Sequence, residues 1–425
     1  MTLPKQTLYT NKIQGSHARN YQSNIAPQNG QEYSLGETII LNVPTANNIV
    51  MSGADTILKC SLNVRNGTAG AGIAALERGG IATVIQRLRI FHGSTLLTDI
   101  DNYGNLVSMM TSVQQSSDSL VNKLEILQGT SLQRGKDMSA GATTNVSVDF
   151  SFSLLSILSL SNNYVPLFAM TGAPLRIEIQ LVSSITKFMA SNVVYTNHST
   201  KKLLTNVELV CNMMEISDMG MDMVRKAAGP VVQWVVSDYR NYAYNAVLGT
   251  SETQVSVPIP AKFNSLKSLF WSFRLNSAGI AARYPNESCK FGLLDYTTRI
   301  GSQVVPSKAP NSVPDFFAEL LRAIGSVSDI NLATEIDLDS YSTDVPVAFA
   351  ALTNTSRTFY AGLDVESYSN SDMSSVYSGL NTSTDDIFFQ PKFDAQAGAL
   401  NVRIDTYALF DSLIMFENGA ATVVN

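Results

Sequence analysis

Apolar and polar residues alternate along much of this chain. Leu58, Cys60, Leu62 and Val64 fall on one parity, and Lys59, Ser61, Asn63 and Arg65 on the other. Val146, Val148, Phe150 and Phe152 alternate with Ser147, Asp149, Ser151 and Ser153, and Leu175, Ile177, Ile179 and Leu181 with Arg176, Glu178 and Gln180. Val207, Leu209, Cys211 and Met213 repeat the pattern, as do Val255, Val257 and Ile259, then Val402 and Ile404 between polar neighbours. Successive side chains of a strand point to opposite faces, so a period of two predicts strands with one buried face, as in antiparallel sheets. Parallel sheets covered on both sides would read as continuous apolar runs. Helical patterns are few. One helix-like segment lies near 105–113. The stronger one is Pro314–Ala323, with Ser312 as cap, Asp315 at capping-box spacing and Pro314 in the first turn. Its spacing predicts one apolar face formed by Phe317, Leu320, Leu321 and Ile324.

The chain also repeats itself. Leu58-Lys59-Cys60-Ser61-Leu62 and Gly93-Ser94-Thr95-Leu96-Leu97 recur 208 positions later as Leu266-Lys267-Ser268-Leu269-Phe270 and Gly301-Ser302-Gln303-Val304-Val305. Each Gly-Ser element precedes one of the helix-like segments. Solenoid repeats have periods of about 20–50 residues, so this one predicts two similar β-rich domains in tandem. The strand pattern breaks over Ser217–Pro230, which places the boundary there. Longer connections, rich in Gly, Ser, Asn and Thr, fall near 66–80, 114–142, 183–204, 275–290 and 325–345.

Length and composition fit this picture. The 425 residues allow two or three domains. Charged residues make up only 15%, against about 25% in typical domains. The polar share lies in Ser, Thr, Asn and Gln, whose burial costs less than that of ions. Such a surface suits a protein that packs against copies of itself, and also an ordinary secreted β-protein. The net charge of −6 argues against wrapping nucleic acid, and no sequence-specific nucleic-acid binding is expected. Residues 1–30 differ, with Lys5, Lys12 and Arg19 and no acid before Glu32. Cys60, Cys211 and Cys289 have no disulfide or zinc spacing. No signal-peptide pattern and no run of about 18 apolar residues is present.

Motifs that could carry chemistry are weak. Gly70-Ala71-Gly72-Ile73-Ala74-Ala75 has dinucleotide-type glycines, but Arg78-Gly79-Gly80 follows where a helix is needed. Asp99-Ile100-Asp101 lacks the later ligands of a calcium loop. Asp385 and Asp386 are adjacent, and adjacent strand residues face opposite ways, so a turn is expected rather than a glycosidase pair. His17, His92 and His198 are isolated. No catalytic residue, cofactor or metal is therefore assigned, and two tandem β-sandwiches read as a building block rather than an enzyme.

Five segments resemble the double jelly-roll major capsid proteins of the adenovirus-type lineage, in the polinton-like virus, adintovirus and virophage style. They are Ile85–Gly93, Ala173–Ile179, Ser237–Tyr242, Phe263–Leu269 and Leu413–Gly419. The resemblance implies an all-β fold of two tandem eight-stranded jelly rolls with a few short helices in loops. It would comprise an N-terminal arm (1–35), a first jelly roll (36–218), a second (230–420) and a C-terminal tail (421–425). It further implies a homotrimeric, pseudo-hexagonal capsomer in an icosahedral virion. Partners would be neighbouring capsomers, penton and minor capsid proteins. An internal membrane could be met by the arm, with Lys5, Lys12 and Arg19 at the base. The competing expectation is a carbohydrate- or receptor-binding β-sandwich, for which Tyr239, Tyr242 and Tyr244 would have to form an exposed aromatic cluster.

Overall fold

The computed structural model describes residues 18–66, 74–76, 78–130, 145–161, 163–191, 195–276, 285–325, 327–328, 333–344, 357–366 and 378–425. The first lobe contributes strands β1 (Ala18–Ile25), β2 (Thr38–Val43), β3 (Ile49–Asn66), β4 (Ile85–His92), β5 (Thr95–Asp101), β6 (Asn145–Phe152), β7 (Leu175–Leu181) and β8 (Leu204–Ile216). One sheet runs β1-β8-β3-β6 and the other β2-β7-β4-β5, with all pairs antiparallel. Short Tyr195–Asn197 also pairs with the end of β3.

The second lobe repeats this plan. Its strands are β9 (Val232–Leu248), β10 (Val257–Ile259), β11 (Leu266–Leu275), β12 (Leu293–Ile300), β13 (Gln303–Val305), β14 (Tyr360–Asp364), β15 (Ile387–Phe393) and β16 (Leu400–Glu417). The sheets run β9-β16-β11-β14 and β10-β15-β12-β13. A last strand, β17 (Ala420–Val424), folds back on β16. In both lobes the chain switches between the facing sheets in the same sequence. Two four-stranded sheets interleaved in this way form a jelly roll.

The sequence repeat is a structural repeat. Leu58–Leu62 lies in β3 and Leu266–Phe270 in the equivalent β11. Gly93-Ser94 turns the β4–β5 hairpin and Gly301-Ser302 turns β12–β13. The two glycines have φ of 59° and 58°, the left-handed region where a side chain is strained. Each hairpin leads into a helix, α1 (Tyr103–Gln114) in the first lobe, and its counterpart Val313–Ile324 in the second. Between the lobes lies α2 (Asp218–Ala228), so Val313–Ile324 is α3 and the short Leu338–Ser342 is α4.

Three expectations change in detail. Ser312 does cap α3, its hydroxyl accepting from the Asp315 N–H at 3.3 Å, but the buried residues are Phe316, Leu320 and Ala323. Phe317, Leu321 and Ile324 sit half-buried beside them. The helix is rotated because β14 offers a bare Gly362, whose absent Cβ lets the Leu320 backbone and Ala323 settle against the sheet. Ala18–Ile25 pairs with β8 along its whole length, so residues 18–25 of the segment read as an arm are strand in the first lobe's sheet. The segment read as a tail is likewise mostly strand, β17.

The cores follow the period-two pattern. Leu41, Leu88, Ile90, Ile177, Ile179 and Leu209 are fully buried in the first lobe. The second core is aromatic, with Trp271 stacked on Phe389 at 4.1 Å and Phe273, Tyr296, Phe316 and Phe359 around them. Each such side chain contributes about 1.5–3 kcal/mol by leaving water. Burial pushes the Cys60 and Cys211 thiols up to about 12, so they are packing groups and not nucleophiles.

Candidate functional site at the seam between the lobes

Where the lobes meet, the end of β5 and the start of α1 lie on the outer face of the second lobe's β9-β16-β11 sheet. Strand alternation sets this face. Trp271, Phe273, Val402 and Ile404 point into the second core, so Ser272, Arg274, Arg403, Asp405 and Tyr407 point out of it. They are not solvated. Asp405, Tyr407 and Ser272 are fully buried because the first lobe covers them.

The contacts are polar and specific. Asn105 of α1 donates to the Tyr407 hydroxyl at 2.9 Å, and that hydroxyl donates to the Asn102 carbonyl at 3.0 Å. Ser272 donates to Asn105 Oδ1 at 3.3 Å. Asn102 Nδ2 reaches Asn241 Oδ1 at 3.1 Å and Asp405 Oδ1 at 3.2 Å. Arg274 Nε binds Asp405 at 2.9 Å and Arg403 Nε binds it at 3.0 Å. Thr98 of β5 donates to Asp238 of β9. Further along, Arg78 pairs with Glu335, whose N–H donates to the Ser112 carbonyl at 3.1 Å. Trp234 Nε1 donates to Ser161 at 2.9 Å. Thr98 and Asp238, Asn105 and Tyr407, Asn102 and Asp405, and Trp234 and Ser161 are matched across the seam, which is the condition for burying such groups at low cost.

Burial also sets the charge states. Asp238 is pushed up to about 7, chiefly by desolvation, against the opposing hydrogen bonds from Thr98 and the Tyr239 N–H. Burial and the neighbouring Asp405 raise the Tyr407 hydroxyl well above its ordinary value.

The residues singled out from sequence lie elsewhere. Lys5, Lys12, His17 and Gly70–Ile73 are outside the described residues. Arg19 is exposed on β1, opposite Glu215 of β8. Asp99 is a strand residue paired with Arg87 at 2.7 Å, which leaves no cation loop there. Asp386 pairs with Lys262 at 2.9 Å, while Asp385 sits against the Gly301 turn. His92 is buried with Nε2 at 3.3 Å from the Met170 carbonyl, and His198 accepts the Thr200 and Lys201 N–H groups in a turn. Tyr239 is buried in the seam, with its hydroxyl on Met110 Sδ at 3.7 Å, and Tyr242 and Tyr244 lie on the opposite face against the core. The tyrosines therefore form no exposed cluster. Among the described residues, no group of three or more His, Cys, Asp or Glu could hold a metal. No described helix is long and apolar enough to cross a membrane.

The fold is thus a tandem pair of jelly rolls joined through a polar seam. The same fold is found in solved capsid structures. The chain superposes on PBCV-1 VP54, as fitted into a reconstruction of the virophage Sputnik, with TM-score 0.64 and 10% identity over 98% of each chain. The Sputnik virophage structure gives TM-score 0.60 and 8% identity, over 100% of this chain and 92% of that one. The mavirus major capsid protein gives 0.56 and 10%, over 99% and 93%. No family model matches the sequence, and no curated protein does.

Proposed function

We propose that this chain is the major capsid protein of an icosahedral virus, a structural protein with no catalytic turnover. Three copies would close into a pseudo-hexagonal capsomer, and its place would be the virion shell. The observation that carries this reading is the seam. It joins two different surfaces, the β5–α1 side of one lobe and the outer face of the other lobe's first sheet. Such a contact is head-to-tail. Because the lobes are duplicates, each surface occurs a second time, and among the described residues the other lobe does not cover it. The second lobe offers β13 and α3, with Gln303 and Val304 exposed. The first lobe offers the outer face of β1-β8-β3-β6, with Gln22, Asn24, Lys59 and Asp149 exposed. A second copy can repeat the seam there, and three copies of two lobes close a ring.

On the same reading the segment before β1, carrying Lys5 and Lys12, together with Arg19, faces the base of the tile. It would meet membrane, minor capsid proteins or neighbours there. The connections 114–142 and 325–345, whose described parts include helical 117–128 and α4, would contribute to contacts between copies. The similar structures, capsid proteins of virophages and of PBCV-1, support this assignment through the fold. Tyr239 is buried and Tyr242 and Tyr244 are half-buried against the core, so they do not make the exposed aromatic cluster that a glycan-binding module would need.

The test is the native mass of the purified protein by light scattering, with electron microscopy of the same peak. Three times the 46.0 kDa chain mass with hexagonal outlines is the expected result. A stable monomer at high protein concentration would overturn it.

A further inference from the structure

We propose that a cleft at one end of the seam binds an oxyanion of the phosphate or sulfate type. The cleft has a volume of about 280 Å³. It opens at the end of the strands opposite the Gly93-Ser94 turn, since Gln86 at the start of β4 lines it and His92 ends that strand. Three cations line it, Arg274, Arg403 and Lys187, and no carboxylate does among the described residues.

The nearest acids do not cancel this charge. Asp405 is fully buried beneath and is shared by both arginines. Asp101 accepts from Gln86 at 3.4 Å but does not line the cleft. Arg403 holds Asp405 through Nε and keeps a third of its side chain exposed at the wall, 32%. Lys187 stands exposed at the rim. Among the described residues, three cations line the cleft against one carboxylate, an excess of positive charge in a partly desolvated pocket, where it acts more strongly than on an open surface. Guanidinium groups match the geometry of tetrahedral oxyanions. The amides of Gln86, Asn102 and Asn276 supply neutral polar groups on the walls. A metal cation would find no anionic ligand among the described residues of these walls. The volume exceeds that of a single oxyanion, so a phosphate or sulfate ester of a small sugar also fits. The site holds whether or not the chain builds a shell.

Titration calorimetry on the purified protein at constant ionic strength tests it, with sodium phosphate, sodium sulfate and glucosamine 6-sulfate as probes and glucosamine as the neutral control. Saturable uptake of one oxyanion per chain is expected, with no uptake of glucosamine. Lys187→Gln, at an exposed position where the fold is unaffected, and Arg403→Gln should each weaken binding about tenfold, the size of one charge-assisted hydrogen bond. Arg299→Gln, away from the cleft, should leave it unchanged. Tighter binding of the sulfated sugar than of free sulfate identifies an ester as the ligand, and equal binding identifies the free ion; both uphold the site. No saturable uptake, or uptake indifferent to both cleft substitutions, overturns it.

Discussion

Helices α1 and α3 occupy the same place in the two copies of one fold, and both have 12 residues. Their surroundings differ completely. In α1 every residue from Tyr103 to Val113 is buried. In α3 only Phe316, Leu320 and Ala323 are, while Pro314, Asp315 and Arg322 are exposed. Sequence follows environment, since α1 contains no charged residue and α3 carries Asp315, Glu319 and Arg322. The outer sheet faces show the same asymmetry, with Tyr407 and Asp405 buried in the second lobe and Lys59 and Asp149 exposed in the first. Duplication supplied two equal lobes, and one asymmetric contact between them made their surfaces unequal.

The sharpest way to break the comparison is a charge in α1. Ser108→Arg, at a position 2% exposed, should cost more than about 3 kcal/mol, because a large unpaired charge enters a packed interface. Arg322→Ala in α3 should change stability by less than about 0.5 kcal/mol. Urea melts of the two variants beside the parent measure the contrast, and equal effects would mean that α1 is not covered as described.

Removing the shared acid comes next. Asp405→Asn removes the buried carboxylate that Arg274 and Arg403 share and should cost about 3 kcal/mol. Asp149→Asn on the open face weakens one bond to Ser61 and should cost about 1 kcal/mol or less. Tyr407→Phe, which deletes two hydrogen bonds across the seam, should fall between them at about 2 kcal/mol. A cost for Tyr407→Phe no larger than for Asp149→Asn would count against a tightly matched seam.

Asp238 gives the seam a pH dependence of known sign. Its carboxyl is pushed up to about 7 in the folded chain, above the ordinary 3.8. Below 3.8 both states are protonated and the group has no effect. Between about 4 and 7 the folded state binds the extra proton, so stability falls as pH rises, and the loss is complete above 7. Asp238→Asn should therefore gain on the parent as pH goes from 4 to 8 in melts across that range. A constant gap would show that Asp238 is not the titrating group. The smallest effect on folding is expected for Lys59→Glu on the open face, within about 0.5 kcal/mol. The same substitution should lower the native mass towards that of one chain, since it alters a surface that another copy is proposed to cover.

Much of this architecture was legible in the residues. The alternation around Leu58–Val64 and Leu175–Leu181 places β3 and β7, and the recurring Gly-Ser pairs mark equivalent turns because glycine adopts that left-handed backbone at no steric cost. Ser312 and Pro314 mark the start of α3. The seam was not legible, for a physical reason. Period two says that Asp405 and Tyr407 face away from their own core, but an outward parity is the same whether water or another lobe lies beyond it. The one available signal was the uncharged run of α1, beside the buried-polar composition of Asn105, Ser108, Thr111 and Ser112. The register of α3 was missed because the stripe is broad and Gly362, distant in sequence, decides which part of it is buried.

The tether between the lobes has a kinetic consequence. Helix α2 joins the end of β8 to the start of β9, so the two halves of the seam never have to find each other by diffusion. A short connection of this kind holds its ends at an effective concentration on the order of millimolar. The internal seam therefore forms at any dilution, while the proposed seams between copies would depend on how much protein is present. In the proposed ring, half of the contacts would be settled by the act of folding, and a cell or a test tube would control only the other half.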